Sequence, residues 1–74
     1  MNLRTIRGTV TAVHRRTNKL GALWAELDLD TGEHVLVFPK GYGWFRHLLV
    51  EGAAVEITAR SDGKALFAHA IASR

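Results

Sequence analysis

Val35-Leu36-Val37-Phe38-Pro39-Lys40-Gly41-Tyr42-Gly43-Trp44-Phe45-Arg46-His47-Leu48-Leu49-Val50-Glu51-Gly52 decides the fold. Its first part is a β-branched and aromatic run, within a strand predicted over residues 33–38. Pro39 closes it, because proline cannot donate to a sheet ladder. Then the period changes. Tyr42, Phe45, Leu48 and Leu49 recur at i, i+3, i+6 and i+7, the spacing of one helix face. Gly52 stands just past the last of them, as a helix stop does. Gly41 and Gly43 weaken the first turn, so the spacing predicts a short helix within residues 40–50, starting near Gly43. No other stretch of the chain has a helical period.

Upstream, residues 22–29 form a strand with Leu23, Ala25, Leu27 and Leu29 on one face and Trp24, Glu26 and Asp28 on the other. Asp30-Thr31-Gly32 reads as a hairpin turn, with Gly32 supplying positive φ. If the turn holds three residues, Val35 and Val37 face inward and Phe38 lies beside Trp24. If it holds two, the faces swap, and the sequence leaves both registers open. Residues 4–15 read as a long first strand. Gly8 and a slip of phase at Ala12-Val13 predict a bend or bulge, as a strand shared between two sheets needs. Arg15 to Gly21 reads as a basic loop. Downstream, residues 53–60 alternate with Val55, Ile57 and Ala59 on one face. Ser61-Asp62-Gly63 is a second turn, and residues 64–72 are a fifth strand through Leu66, Phe67 and Ile71.

The order is β-β-β-α-β-β. It predicts an all-β fold: a five-stranded Greek-key barrel of the OB type, with one short helix between strands 3 and 4 plugging the barrel, and residues 1–74 as a single domain. An SH3-like barrel lacks a helix at that place, and a ferredoxin-like fold needs two.

The 74 residues leave no room for a second domain, and the absence of Cys excludes disulfides and thiolate chemistry. No apolar run approaches the roughly 18 residues of a membrane span, and the first residues lack a signal-peptide core. The expectation is a cytoplasmic protein without membrane association. Arg outnumbers Lys and Ala is frequent, a composition of GC-rich genomes, bacterial or phage. The net charge of +3 is uneven. Residues 1–25 carry Arg4, Arg7, Arg15, Arg16 and Lys19 with no acid, whereas residues 26–56 carry six acids against Lys40 and Arg46. Residues 57–74 carry Arg60, Lys64 and Arg74 against Asp62. If the two basic ends meet in space, the protein has a basic face.

Three stretches resemble a known family: Ile6-Arg7-Gly8-Thr9-Val10-Thr11-Ala12-Val13, Leu27-Asp28-Leu29-Asp30-Thr31-Gly32, and above all Val35-Leu36-Val37-Phe38-Pro39 followed by Tyr42, Phe45, Leu48, Leu49, Glu51 and Gly52. The last resembles the pattern V-x-V-F-P…Y…L-L-x-E-G. The family is the tRNA-anticodon-type nucleic-acid-binding OB domain, as found near the C-terminus of bacterial DNA polymerase III alpha subunits. The resemblance runs over about residues 5–72 and rests on core and turn positions. It implies single-stranded nucleic-acid binding, DNA ahead of RNA, and brings over no ligand-contacting residue.

Single strands are held by cations that track phosphates and aromatics that stack on bases. The predicted phosphate partners are Arg7, Arg15, Arg16 and Lys19 in the first strand and loop, with Arg60 and Lys64 at the second hairpin. Trp24, on the otherwise polar face of strand 2, is the predicted stacking platform, joined by His34 and, if the turn holds three residues, by Phe38, which is otherwise core. A solvated loop and a Trp24 covered by its own chain or by a second copy are the alternatives. Lys40-Gly41-Tyr42-Gly43-Trp44-Phe45 also resembles the first ribonucleoprotein motif, which needs a strand; its place in the connector argues for a helix. The four histidines are scattered, and Ser61 and Ser73 have no nucleophile elbow around them. No catalysis, metal or cofactor is expected. The rival reading is an OB module that docks on a protein, such as a replication accessory or phage protein, through Trp24 and the acidic segment, or that forms a homodimer.

Overall fold

The computed structural model describes residues 2–74. Five strands form: β1 (Asn2–Thr17), β2 (Leu23–Leu29), β3 (His34–Val37), β4 (Ala54–Ser61) and β5 (Leu66–Ser73). Between β3 and β4 lie α1 (Pro39–Phe45) and a 3-10 turn (Arg46–Leu48). The strands close into a barrel in the order β1-β2-β3-β5-β4, with β3 and β5 parallel and the other pairs antiparallel. This is the all-β OB-like barrel that the order of elements predicts.

β1 serves both sides of the closure. Its first half pairs with β4, from Asn2–Ser61 to Thr9–Ala54. Its second half pairs with β2, and the register slips between Val10 and Ala12. Thr11 is the extra residue, and its hydroxyl donates to the Asp28 carbonyl at 3.1 Å. The bulge bends the strand where it changes partner. Pairing then continues to Thr17–Leu23, so Arg15 and Arg16 lie on a strand rather than in the expected loop, which spans residues 18–22. Asn18 organises that loop by accepting the Leu20 and Ala22 N–H groups through Oδ1.

The β2–β3 turn holds three residues. The Leu29 N–H donates to the Glu33 carbonyl, the Gly32 N–H donates to the Leu29 carbonyl, and Gly32 has φ +90°. A type I turn followed by a left-handed glycine adds one residue to the shortest hairpin. That count sets the register: Val35 and Val37 are fully buried, while Leu36 and Phe38 point outward.

The core is the inward alternation of the strands: Ile6, Val10, Ala25, Leu27, Leu29, Val35, Val37, Val55, Ile57, Ala59 and Ile71. Leu49 closes it from the connector, with Tyr42, Phe45 and Leu48 packed partly buried around it. Each large apolar side chain so buried contributes about 1.5–3 kcal/mol. Leu23 was expected inward but is half exposed, being at the end of β2 beyond the packed interior.

Two further expectations are corrected. The helix starts at Pro39, not near Gly43, because proline suits the first helical position. Tyr42 and Phe45, packed against the core, hold this turn despite the weak propensity of Gly41 and Gly43. Lys40 to Phe45 are therefore helical, which removes the ribonucleoprotein-motif reading. Finally, β5 begins at Leu66, leaving Lys64 in the turn.

Candidate nucleic-acid interface

Since Ala25, Leu27 and Leu29 point inward, Trp24, Glu26 and Asp28 stand on the outer face of β2. Register places Arg16 opposite Trp24, His14 opposite Glu26, and Leu36 and His34 opposite Glu26 and Asp28 on the other side. Phe38 follows one residue after the Ala25–Val37 pair.

β5 adds a member that sequence reasoning missed. Phe67 pairs with Leu36. Phe67 and Ile71 are four residues apart, and an unbroken strand would put both on one face. However, Thr58 pairs with Ala70 and Ala59 with Ala68, so His69 is an extra residue. The bulge lets Ile71 enter the core while Phe67 faces out. The Phe38 and Phe67 rings lie 4.9 Å apart at 48°, a tilted aromatic pair. The Arg60 guanidinium carbon sits 6.0 Å from the Phe67 centroid, within cation–π range.

The result is an open cleft of about 350 Å³ lined by Asn18, Trp24, Leu36, Phe38, Pro39 and Phe67, with no acid in its wall. Leu36 also borders a second hollow, with Arg4, Glu26, His34 and the β4–β5 turn including Lys64. The β1–β2 loop, through Asn18, and the β4–β5 turn, through Lys64, thus flank one sheet face.

The acids on this face are engaged. Arg16 Nε donates to Glu26, and this bond, followed by that from His34, holds the Glu26 carboxyl below its usual range. Asp28 is lowered chiefly by His34 and then by His14, 2.6 and 3.3 Å away. The His34 ring lies between Asp28 Oδ1 and Glu26 Oε1, at 2.6 and 3.1 Å. Its pKa is raised, first by Asp28 and further by Glu26, against an opposing effect of burial. In the turn, Asp62 Oδ1 accepts the Lys64 and Ala65 N–H groups, which holds its carboxyl low.

Of the residues singled out from sequence, Arg16, Trp24, His34, Phe38, Arg60 and Lys64 come together along this face. Lys19 is exposed in the adjoining β1–β2 loop. Arg7 and Arg15 do not join them. Arg7 projects from the β1–β4 pair and bonds Glu56 at 2.9 Å. Arg15 donates to the Leu49 carbonyl at 2.9 Å, capping the end of the connector. Sequence reasoning also left out Arg4, which pairs with Glu33 at 2.8 Å beside Lys64's hollow. Among the described residues no cluster suits a metal ion, and no helix is long and apolar enough to cross a membrane.

Fold and site together define an OB-like barrel with an open aromatic cleft on its outer sheet. The chain is 41% identical over 58 residues to the DNA polymerase III subunit alpha of Saccharopolyspora erythraea. The match takes in 74% of this chain and 5% of that protein, so the chain corresponds to a small part of its relative. No protein-family profile matches the chain.

Proposed function

We propose that this chain is a non-catalytic OB module of the tRNA-anticodon type that binds single-stranded nucleic acid, DNA ahead of RNA, with little sequence preference. The observation that carries the reading is the cleft in which Trp24, Phe38 and Phe67 share one wall without an acid. Any base offers a π-face to such rings, so stacking there is sequence-tolerant, at about 1–3 kcal/mol per base. Arg16, Lys19, Arg60 and Lys64 supply the cations around it. The preference for DNA rests on the name of the relative, which also makes DNA replication the setting proposed. Arg7 and Arg15 are omitted because neither lines the cleft, Arg7 bonding Glu56 and Arg15 the Leu49 carbonyl, whereas Arg16, although bonded to Glu26, stands opposite Trp24.

The test is a fluorescence titration of the Trp44→Phe variant, in which Trp24 is the remaining tryptophan. Oligo(dT) should quench it at low salt, and Phe67→Ala should weaken binding about fivefold or more. An unquenched Trp24 at low salt and high micromolar protein would overturn the proposal. The docking alternative draws on Leu20, which is 93% exposed at the tip of the β1–β2 loop. It would be favoured by an unquenched Trp24 together with a Leu20→Ser variant that loses a protein contact.

A further inference from the structure

Trp44 is 71% exposed on α1, although a ring of that size normally buries most of its surface. It borders a hollow of about 400 Å³ together with Phe38, Lys40, Gly41, Ala68 and His69. Phe38 also lines the aromatic cleft beside Trp24, so the two depressions meet at one ring. Leu36 in turn joins the cleft to the hollow beside Lys64. The outer surface therefore carries a continuous track: the β4–β5 turn, Leu36, the Trp24–Phe67 cleft, Phe38, then Trp44 on the connector helix.

The wall composition selects the occupant. Neither the cleft nor the Trp44 hollow has an acidic residue in its lining, and the latter adds Lys40. A flexible polyanion with repeated flat apolar groups matches alternating rings and cations. Resting on the function proposed above, we infer that Trp44 and Lys40 form an additional subsite for the same single strand. Trp44 stacks on a base beyond those held in the cleft, and Lys40 meets its phosphate. This extends the track from the sheet face onto the connector helix. A short strand fills the cleft first, because that site holds three aromatic rings. A longer one reaches Trp44.

Two single-tryptophan variants test this, with oligo(dT) of about four and about twelve nucleotides, lengths within the range of OB footprints. Trp44→Phe reports on Trp24, and Trp24→Phe reports on Trp44. The expected result is that the twelve-mer quenches both positions. Trp44→Ala or Lys40→Ala should weaken the twelve-mer about fivefold or more for the ring, less for the lysine, and leave the four-mer unchanged. Both residues are exposed, so thermal melts of these variants should match the parent. Quenching of Trp24 without quenching of Trp44 overturns the subsite and leaves the proposed function standing. Equal weakening of both oligonucleotides also overturns it. Absence of quenching at both positions overturns the proposed function, and the subsite with it.

Discussion

His34 is the residue whose chemistry the sequence disclosed least. Alternation put it on the outer face, and it was expected to stack on a base. Instead both ring nitrogens face carboxylates, Asp28 at 2.6 Å and Glu26 at 3.1 Å. A protonated ring donates to both, which raises the His34 pKa above 6.5. The stabilisation it brings is full below pH 6.5 and is lost as pH rises through the raised value. For Glu26 and Asp28, lowered from 4.5 and 3.8, the contribution is present above those values and is lost as pH falls through the lowered ones. Thermal melts should therefore show the melting temperature falling as pH rises from 6.5 through the raised His34 value, and His34→Gln should flatten that limb. An unchanged slope in the variant would contradict the pairing. Arg15 departs from the expected loop role for a related reason. Its acceptor, the Leu49 carbonyl, lies 34 positions away and is invisible to local pattern. Trp24 was legible because an aromatic on a polar strand face stands out.

At the scale of elements, strand order and the connector followed from period and punctuation, whereas register and bulges did not. The length of the Asp30–Gly32 turn determines which face of β3 is inward, and composition alone permits two lengths. The extra residue in β5 is an ordinary His69, with no glycine to mark it, so the outward turn of Phe67 went unseen. The early start of α1 reflects tertiary packing over local propensity. Gly8 was read as a bend marker, and its close approach gives it a sharper role. A Cβ there would lie 2.8 Å from Asp30 Oδ1, the atom that accepts the Thr9 N–H at 2.9 Å. Gly8→Ala should cost about 1–3 kcal/mol in urea unfolding, because it either displaces that bond or shifts β1 from the turn. Asp30→Ala in the same background should relieve part of the clash, so the double-mutant cycle should be non-additive.

For the whole molecule, the uneven charge has a finer pattern than two basic ends and an acidic middle. The acids of the middle are spent locally, Glu56 on Arg7, Glu33 on Arg4, and Glu26 on Arg16 and His34. Exposed pairs of this kind contribute little stability, but they remove repulsion toward phosphates. Cations within reach of the cleft are few. With about three or four phosphate contacts, log affinity for oligo(dT) should fall against log salt with a slope near −2 to −3. On the proposed function a single copy should bind weakly, and useful affinity would need a dimer or a larger assembly. A 15N NMR titration with oligo(dT) tests the reading most directly, because it locates the ligand and detects weak binding. The expected shifts map to Trp24, Leu36, Phe38, Phe67 and the Lys64 turn, while Arg7 and Glu56 on the β1–β4 face stay still. No shifts at low salt, or shifts confined to the β1–β4 face, would contradict it.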